Sequence, residues 1–527
     1  MTHSLDRYWF RAQRYLQEGN AIAARAALES LLRRDPEHTA AQLTLSCLAW
    51  EDGKVRDAAA HAVAAASHAP PDPALIMDIC RSLLDAGETV AARELLQLPA
   101  LAESTVDAVQ LVYSSLLRKL GEHDRALRAV ERAAALGARG SEFLFFRSQI
   151  LTMHGRLADA AVDLDECLKG NPDHAQASLA RALLRRQTFE HNHLSQLDAA
   201  LERAAPGGPD RAILKLAKYK ELEDLDQFDE AWQSLVSANA DFAARWKYDR
   251  TLHHNWVETV LRTCSSDWMR SREHADSASE GPQPIFIFGM PRSGTTLLDR
   301  LLGAHPRVRS VGELDDFPAQ LRWSGNAREA LGEAVRMRLS DLDYMEIGAR
   351  YLKQTTWRAG AVDFYIDKRP WNQLVAGLIH LALPHARMLR MVREPAAVCF
   401  SNFRAYLGDS FAYSYDLKAL SDFHTQSARI NRHWHAVMPG VILDVPYREL
   451  VIDTEATMRR VVAHCGLEWS PTCADPAANP QAVATPSAVR VREPIDDRGL
   501  REWRPYERQL SWFNDAASVP EAPACLA

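Results

Sequence analysis

The sequence predicts an all-α solenoid of helical hairpins followed by an α/β domain with a central parallel sheet, and three observations carry that expectation. Small residues recur every 34 positions through the first third of the chain. From residue 285 onward, short apolar strands alternate with helical stretches. The first of those strands runs into a glycine-framed loop, Gly289 to Gly294, that opens a helix.

The repeat is set by Gly19, Gly53, Gly87, Gly121 and Gly155, with Ala24, Ala58, Ala92, Ala126 and Ala160 each five residues after its glycine. Pro36, Pro70 and Pro172 keep the same ruler, and Ser104 and Ala138 fill the two intermediate slots. Glycine lets one helix end and the chain reverse, while a small alanine lets the next helix lie close. Ala23, Ala27, Leu28, Leu31 and Leu32 supply an apolar helical face, and Pro36 marks the next connection. Each unit is therefore a helical hairpin, five of them over about residues 5–174, and the pattern resembles the tetratricopeptide repeat family. That resemblance implies recognition, because such solenoids hold a peptide or a partner protein on a concave face. The alternative is that the helices pack against the second domain and support it. Phe189 breaks the ruler, and Gln227-Phe228-Asp229-Glu230-Ala231-Trp232 looks like a displaced, degenerate unit. The expected organisation is repeats over 1–174 and capping helices over 175–270.

Residues 271–283, Ser-rich and closing on Gly281-Pro282-Gln283, have the composition of a linker. A domain is expected over 284–515, with a tail at 516–527. Its strands are Ile285 to Phe288, Phe364 to Ile366, Met388 to Val392 and Val441 to Val445, each followed by a helical stretch. Alternation of this kind predicts a parallel sheet.

The loop after the first strand reads Gly289-Met290-Pro291-Arg292-Ser293-Gly294-Thr295-Thr296. Its backbone N–H groups and the start of the next helix can converge on an anion. The domain is thus P-loop-like, but Thr295 stands where the nucleoside-triphosphate motif needs lysine, which weakens a reading as a kinase or ATPase. Pro291 to Thr296, followed by Ala304-His305-Pro306 and Glu313, resembles the sulfotransferases, specifically the protein-tyrosine sulfotransferase branch. The resemblance implies a donor, 3′-phosphoadenosine 5′-phosphosulfate (PAPS), whose 5′ end is held by Arg292, Ser293, Gly294, Thr295 and Thr296. It implies Arg393 and Ser401 on the 3′-phosphate, Tyr447 against the nucleotide, and Ser487 in a late loop that closes over the cofactor. Glu313 corresponds to the general base, with Lys368, Arg292 and Ser487 steadying charge on the leaving phosphate. A phenol, with pKa ~10, is an easier proton donor to a glutamate than an aliphatic alcohol, which favours tyrosine as acceptor. Glycans, lipids and small phenols also carry hydroxyls.

Two positions depart from the family pattern. Where an arginine is usual four residues beyond the phosphate-binding serine there is Ala405, with Arg404 one place earlier, and Glu502 replaces a lysine before Trp503. Arg498, Arg501 or Arg504 are candidate substitutes.

Composition bounds the rest. The formal charge of −7, from 62 Lys plus Arg against 69 Asp plus Glu, argues against a chain devoted to nucleic-acid capture. Eight cysteines without a C-x-x-C pair encode neither a zinc ribbon nor a disulfide framework. His433-Trp434-His435 and His253-His254 lack further ligands at metal spacing, so no metal is expected. The N-terminus carries no apolar core of signal length, and Leu374 to Leu383 falls short of the ~20 residues that span a bilayer. A soluble, cytoplasmic enzyme is expected. Its rivals are an interaction scaffold with a nucleotide-binding but inactive domain, and a P-loop kinase.

Overall fold

The computed structural model describes residues 2–272, 281–332 and 336–510. The expected hairpins form as Thr2–Gln17 with Ala21–Leu32, Thr39–Glu51 with Val55–Ser67, Pro73–Ala86 with Thr89–Leu95, Asp107–Leu120 with His123–Leu136, and Ser141–Met153 with Leu157–Gly170. All five ruler glycines take positive φ, between 72° and 88°, at the turn inside each hairpin. In the first hairpin the buried face is Ala24, Ala27, Leu28 and Leu31, while Ala23 and Leu32 are only half-buried, a small rotation from the expected stripe. The second helix of the third hairpin is short because Pro99, which lacks an N–H, begins a separate turn, Pro99–Ala102.

The chain forms two compact units. One comprises Met1–Ala138 and Leu314–Gly360, the other Arg139–Glu313 and Ala361–Ala527. In the first unit, residues 314–360 contribute helices Asp316–Gly325 and Tyr344–Thr355, which lie against the turns of the second and third hairpins. Ala319 sits so close to Gly87 that a Cβ there would lie 2.6 Å from the alanine methyl. Arg56 donates to the carbonyls of Trp323 at 3.0 Å and Ser324 at 2.6 Å. Thr89 donates to the Gln354 carbonyl at 2.6 Å, and Gln354 in turn donates to Glu88 at 2.7 Å. Arg350 bonds both Glu88 and Gln320 and lies 3.9 Å from the Trp323 ring centroid. Buried polar groups must be paired, so this network specifies one seating for the segment. Part of the helical array thus serves the chain's own residues.

The second unit holds a five-stranded parallel sheet in the order β2-β3-β1-β4-β5, from β1 (Gln283–Phe288), β2 (Val308–Ser310), β3 (Phe364–Lys368), β4 (Arg387–Val392) and β5 (Ile442–Pro446). β1 is central and wholly apolar from Ile285 to Phe288, as a strand covered on both faces must be. Ile285, Ile287, Leu298, Ile366, Leu389 and Val445 share one core. A second core joins Phe400, Phe403, Tyr413 and Phe423 to Leu214, Leu235 and Phe242 from the helices that follow the fifth hairpin. Among those helices, Pro209–Asp224 and Phe228–Arg245 form a further hairpin, and Asp226 takes φ 57° where the regular repeats carry glycine. Of the expected linker, residues 273–280 lie outside the described residues, as does the tail from 511 onward. β1 begins inside that linker, where the Gln283 N–H donates to the Asp363 carbonyl at 2.8 Å.

Candidate active site

In a parallel α/β sheet, ligands bind at the carboxyl ends of the strands, where the order switches direction about a central strand. Here every strand delivers a candidate at that end. β1 runs into the Gly289–Thr296 loop, β2 leads to Glu313, β3 ends on Lys368, and Arg393 and Tyr447 directly follow β4 and β5. The sheet gathers residues spread over about 160 positions of sequence onto one rim.

The loop is held by its neighbours. A Cβ on Gly289 would lie 2.6 Å from the Met391 carbonyl oxygen, and one on Gly294, at φ 112°, would lie 2.5 Å from the Tyr447 ring. Arg292, which is not glycine, takes φ 65°, a conformation that costs about 1–2 kcal/mol and persists only where surroundings enforce it. The enforcing contacts are present. Its guanidinium donates to Ser487 Oγ at 2.6 Å and to Ser401 Oγ at 3.4 Å, and its carbonyl accepts from Arg393 Nη1 at 2.7 Å. Asn402 Nδ2 donates to the Pro291 carbonyl at 2.7 Å. Burial, then the charges of Arg404 and Arg393, push the Arg292 pKa down to about 10, so it remains a cation at neutral pH. Ser293 Oγ and Arg393 Nε are buried without a hydrogen-bond partner. Buried donors of this kind call for a ligand or water. Both residues line one small, half-open pocket together with Gly289, Gln373 and Asn431. Thr295 and Thr296 open the helix Thr295–Leu302 and are buried, and Thr296 Oγ1 lies 3.4 Å from Thr485 Oγ1.

Glu313 and Lys368 meet because β2 pairs with β3. The Lys368 N–H donates to the Gly312 carbonyl at 2.9 Å, which continues that ladder by one step, and Lys368 Nζ donates to Glu313 Oε1. The lysine side chain is 1% exposed and the glutamate 39% exposed. A fully buried ammonium therefore grips one carboxylate oxygen of a group that stays open to the crevice. Behind them lies Asp299, which sequence reasoning missed. Burial pushes its pKa up to about 6, against the pull of Lys368 and of the Ser310 hydroxyl.

At the other end of the loop, the Arg393 guanidinium lies 4.6 Å from the Tyr447 ring centroid and also donates to the Gly499 carbonyl. Ser401 is buried in helix Pro395–Phe403. Arg404 is clamped between Glu223, at 3.2 Å, and Glu502. Burial works to raise the Glu502 pKa, but Arg404, Arg393, Arg490 and Arg292 together hold it below the usual carboxylate value. Two of the candidate substitute arginines are engaged elsewhere: Arg498 pairs with Asp496 and Glu493, and Arg501 with Asp497. Arg490 lies near enough to the cluster to act on Arg393 and Glu502, but it too pairs with Glu493 at 3.0 Å and Asp496 at 2.5 Å, and it carried no sequence signal beyond its charge.

Away from this rim, the histidines singled out in the sequence have packing roles. His433 Nε2 lies 2.9 Å from the Cys264 carbonyl oxygen, and His254 pairs with Asp422 at 2.8 Å. Among the described residues no group of His, Cys, Asp or Glu has metal-holding geometry, and no helix is long and apolar enough to cross a membrane.

Comparison with known proteins finds partial matches. The Sulfotransferase family matches residues 284–471. An uncharacterized protein of Aquifex aeolicus is 26% identical over 373 residues, which is 69% of this chain and 48% of the relative, so this chain spans about half the length of that protein. Protein-tyrosine sulfotransferase 2 of Gallus gallus is 26% identical over 247 residues, 42% of this chain and 62% of its own. Among solved structures, the sulfotransferase domain of the Synechococcus PCC 7002 olefin synthase covers 48% of this chain at 21% identity, with 94% of that domain covered and a TM-score of 0.31. A tetratricopeptide repeat protein of Parabacteroides merdae covers 47% at 15% identity, with 95% of its length covered and a TM-score of 0.34. The chain carries a C-terminal sulfotransferase-family domain, distantly similar to the protein-tyrosine sulfotransferases, after an N-terminal tetratricopeptide-like helical region.

Proposed function

We propose that this protein transfers the sulfuryl group of PAPS to an acceptor hydroxyl, with protein tyrosine the favoured acceptor, and that its helical hairpins recruit the acceptor or a partner. The observation that carries the reading is the lysine-free loop, Gly289 to Thr296, bearing a constrained Arg292 and flanked by the orphaned donors Ser293 Oγ and Arg393 Nε. These groups fit the anionic phosphosulfate end of such a donor better than water, because a cationic, partly desolvated cradle gains most from a charged ligand. PAPS would supply an activated sulfate. Arg292, Ser293, Gly294, Thr295 and Thr296 would hold its 5′ end, and Arg393, Ser401 and Tyr447 its nucleotide end.

Glu313 is the general base. Lys368 fixes its Oε1, leaving the exposed side of the carboxylate to accept the proton of an incoming hydroxyl. Lys368, Arg292 and Ser487 supply donors where negative charge accumulates as the sulfuryl group leaves. The place of work we read as the cytoplasm, a reading to which the seven described cysteines, all unpaired, lend support.

A second reading, an interaction scaffold whose nucleotide domain has lost turnover, draws on Glu502, a carboxylate set among the arginines that would face the cofactor. Incubation with radiolabelled PAPS and a cell lysate separates the two. Transfer of label to protein that disappears in Glu313→Ala, with donor binding retained, supports the enzyme. Donor binding without transfer by the unaltered protein supports the scaffold, and binding of ATP with magnesium in place of the donor overturns both.

A further inference from the structure

The late loop that presents Ser487 has little structure of its own. Residues 479–489 form neither helix nor strand, and beside short-range bonds of their own, such as the Ala488 N–H to the Thr485 carbonyl at 3.0 Å, their backbone is held by other segments. Part of the anchoring comes from the helix after the phosphate loop. Asn479 Nδ2 donates to the Arg300 carbonyl at 3.1 Å, and Arg300 Nη1 donates to the Gln481 carbonyl at 3.3 Å. A second anchor comes from the fifth hairpin. The Met153 carbonyl, at the C-terminus of helix Ser141–Met153, accepts from the Val483 N–H at 2.8 Å and from Arg492 Nη2 at 2.5 Å. The same guanidinium donates through Nη1 to the Ala488 carbonyl, next to Ser487. A helix C-terminus has carbonyls without intrahelical partners and a negative dipole end, so it suits a cation. Gly155 makes room: a Cβ there would lie 2.6 Å from Arg492 Nε and 3.0 Å from its Cδ.

We infer that the fifth hairpin is a positioning element of the sulfotransferase site: the Met153–Gly155 turn grips Val483 and Arg492 and thereby fixes the loop that places Ser487 on Arg292. Met153, Gly155 and Arg492 are positioning residues, since they act through Ser487 and Arg292, whose side chains bond at 2.6 Å. It follows that a ligand which shifts the fifth hairpin changes donor affinity. This inference deepens the sulfotransferase reading and rests on it for the identity of the ligand.

The full chain tests it, with adenosine 3′,5′-bisphosphate as calorimetric ligand and hydrogen exchange at the Val483 amide as a ligand-free readout. Gly155 and Gly53 share φ 75°, but nothing lies within 4 Å of a Cβ at Gly53. Gly155→Ala and Gly53→Ala therefore impose the same backbone strain, and only the first displaces Arg492. Gly155→Ala and Arg492→Ala are expected to weaken bisphosphate binding about tenfold, the equivalent of about 1.4 kcal/mol, and to speed exchange at Val483. Gly53→Ala is expected to leave both unchanged. In a Ser487→Ala background, Arg492→Ala should cost nothing further, which a merely structural arginine would not satisfy. Equal binding and equal Val483 exchange in Gly155→Ala and the unaltered protein would overturn the inference, as would equal losses in Gly53→Ala. If the unaltered protein binds no bisphosphate, the donor reading fails, and Val483 exchange still decides whether the fifth hairpin fixes the late loop.

Discussion

Asp299 offers a quantitative test of the site's electrostatics. It lies on the helix that follows the phosphate loop, is 8% exposed, and has Oδ1 without a partner. Burial raises its pKa to about 6 from an ordinary 3.8, even though Lys368 pulls the other way. The folded protein therefore binds the Asp299 proton more tightly than the unfolded chain does. The stabilisation this provides is complete below about pH 4 and is lost as pH rises through about 6. Asp299→Asn keeps the shape without the charge and removes that loss. Two pKa units correspond to about 3 kcal/mol, so at pH 7 the variant should be the more stable by that order, a rise of roughly 5–10 °C in the melting transition that involves the sheet. At pH 4 the two proteins should melt together. Calorimetric scans from pH 4 to 7.5 measure the gap. A gap that stays constant across this range, or a variant less stable than the parent at pH 7, would refute the assignment of Asp299 as a charge buried at net cost.

Three other outcomes are expected. Gly294→Ala should abolish measurable bisphosphate binding, a loss of at least a hundredfold or about 2.7 kcal/mol, because its methyl group would enter the Tyr447 ring that also carries Arg393; Gly440→Ala, at φ 80° with open space around it, should bind normally in the same titration. Arg350→Ala leaves Glu88 buried without its cation and should destabilise the first unit by about 3 kcal/mol, seen as faster proteolytic cleavage within residues 314–360 while the sheet unit stays intact. Glu502→Gln removes a negative charge from beside four arginines and should tighten bisphosphate binding about five- to tenfold, or about 1 kcal/mol, an advantage that shrinks at high salt.

The parts of this architecture that could be read from the sequence are those governed by local rules. A hairpin has a fixed length and needs a left-handed residue at its turn, so glycines fall on a ruler, and even the degenerate unit keeps the rule by using Asp226. β1, β3, β4 and β5 are legible because each carries a short cluster of apolar residues, whether central or, like β5, at the edge. β2 was not visible, because Val308-Arg309-Ser310 is a short edge strand with one apolar residue, yet it brings Glu313 to Lys368. The seating of residues 314–360 on the second and third hairpins escaped notice for a different reason. It rests on polar partners such as Glu88, Arg350 and Gln354, which in a sequence look like any solvated helix face. The link between Val483 and Met153 is purely backbone and has no residue signature.

Glu502 and Arg404 show why departures from a motif should be weighed in pairs. Taken singly, one is a carboxylate where an anion should bind and the other an arginine one place out of register. Folded, each answers the other: Arg404 bonds Glu502 and Glu223, and its charge is thereby spent on the protein. The cluster still holds Arg292 and Arg393 against the remaining reach of Glu502, while Arg490 is itself paired with Glu493 and Asp496. An anion entering there meets a positive field that is reduced but not reversed. On the proposed reading, Glu502 would lower the affinity of the rim for an anion, and it stands apart from Glu313, which lies beyond a different strand. On that same reading the pair to examine for turnover is Glu313–Lys368, whose partners are in contact.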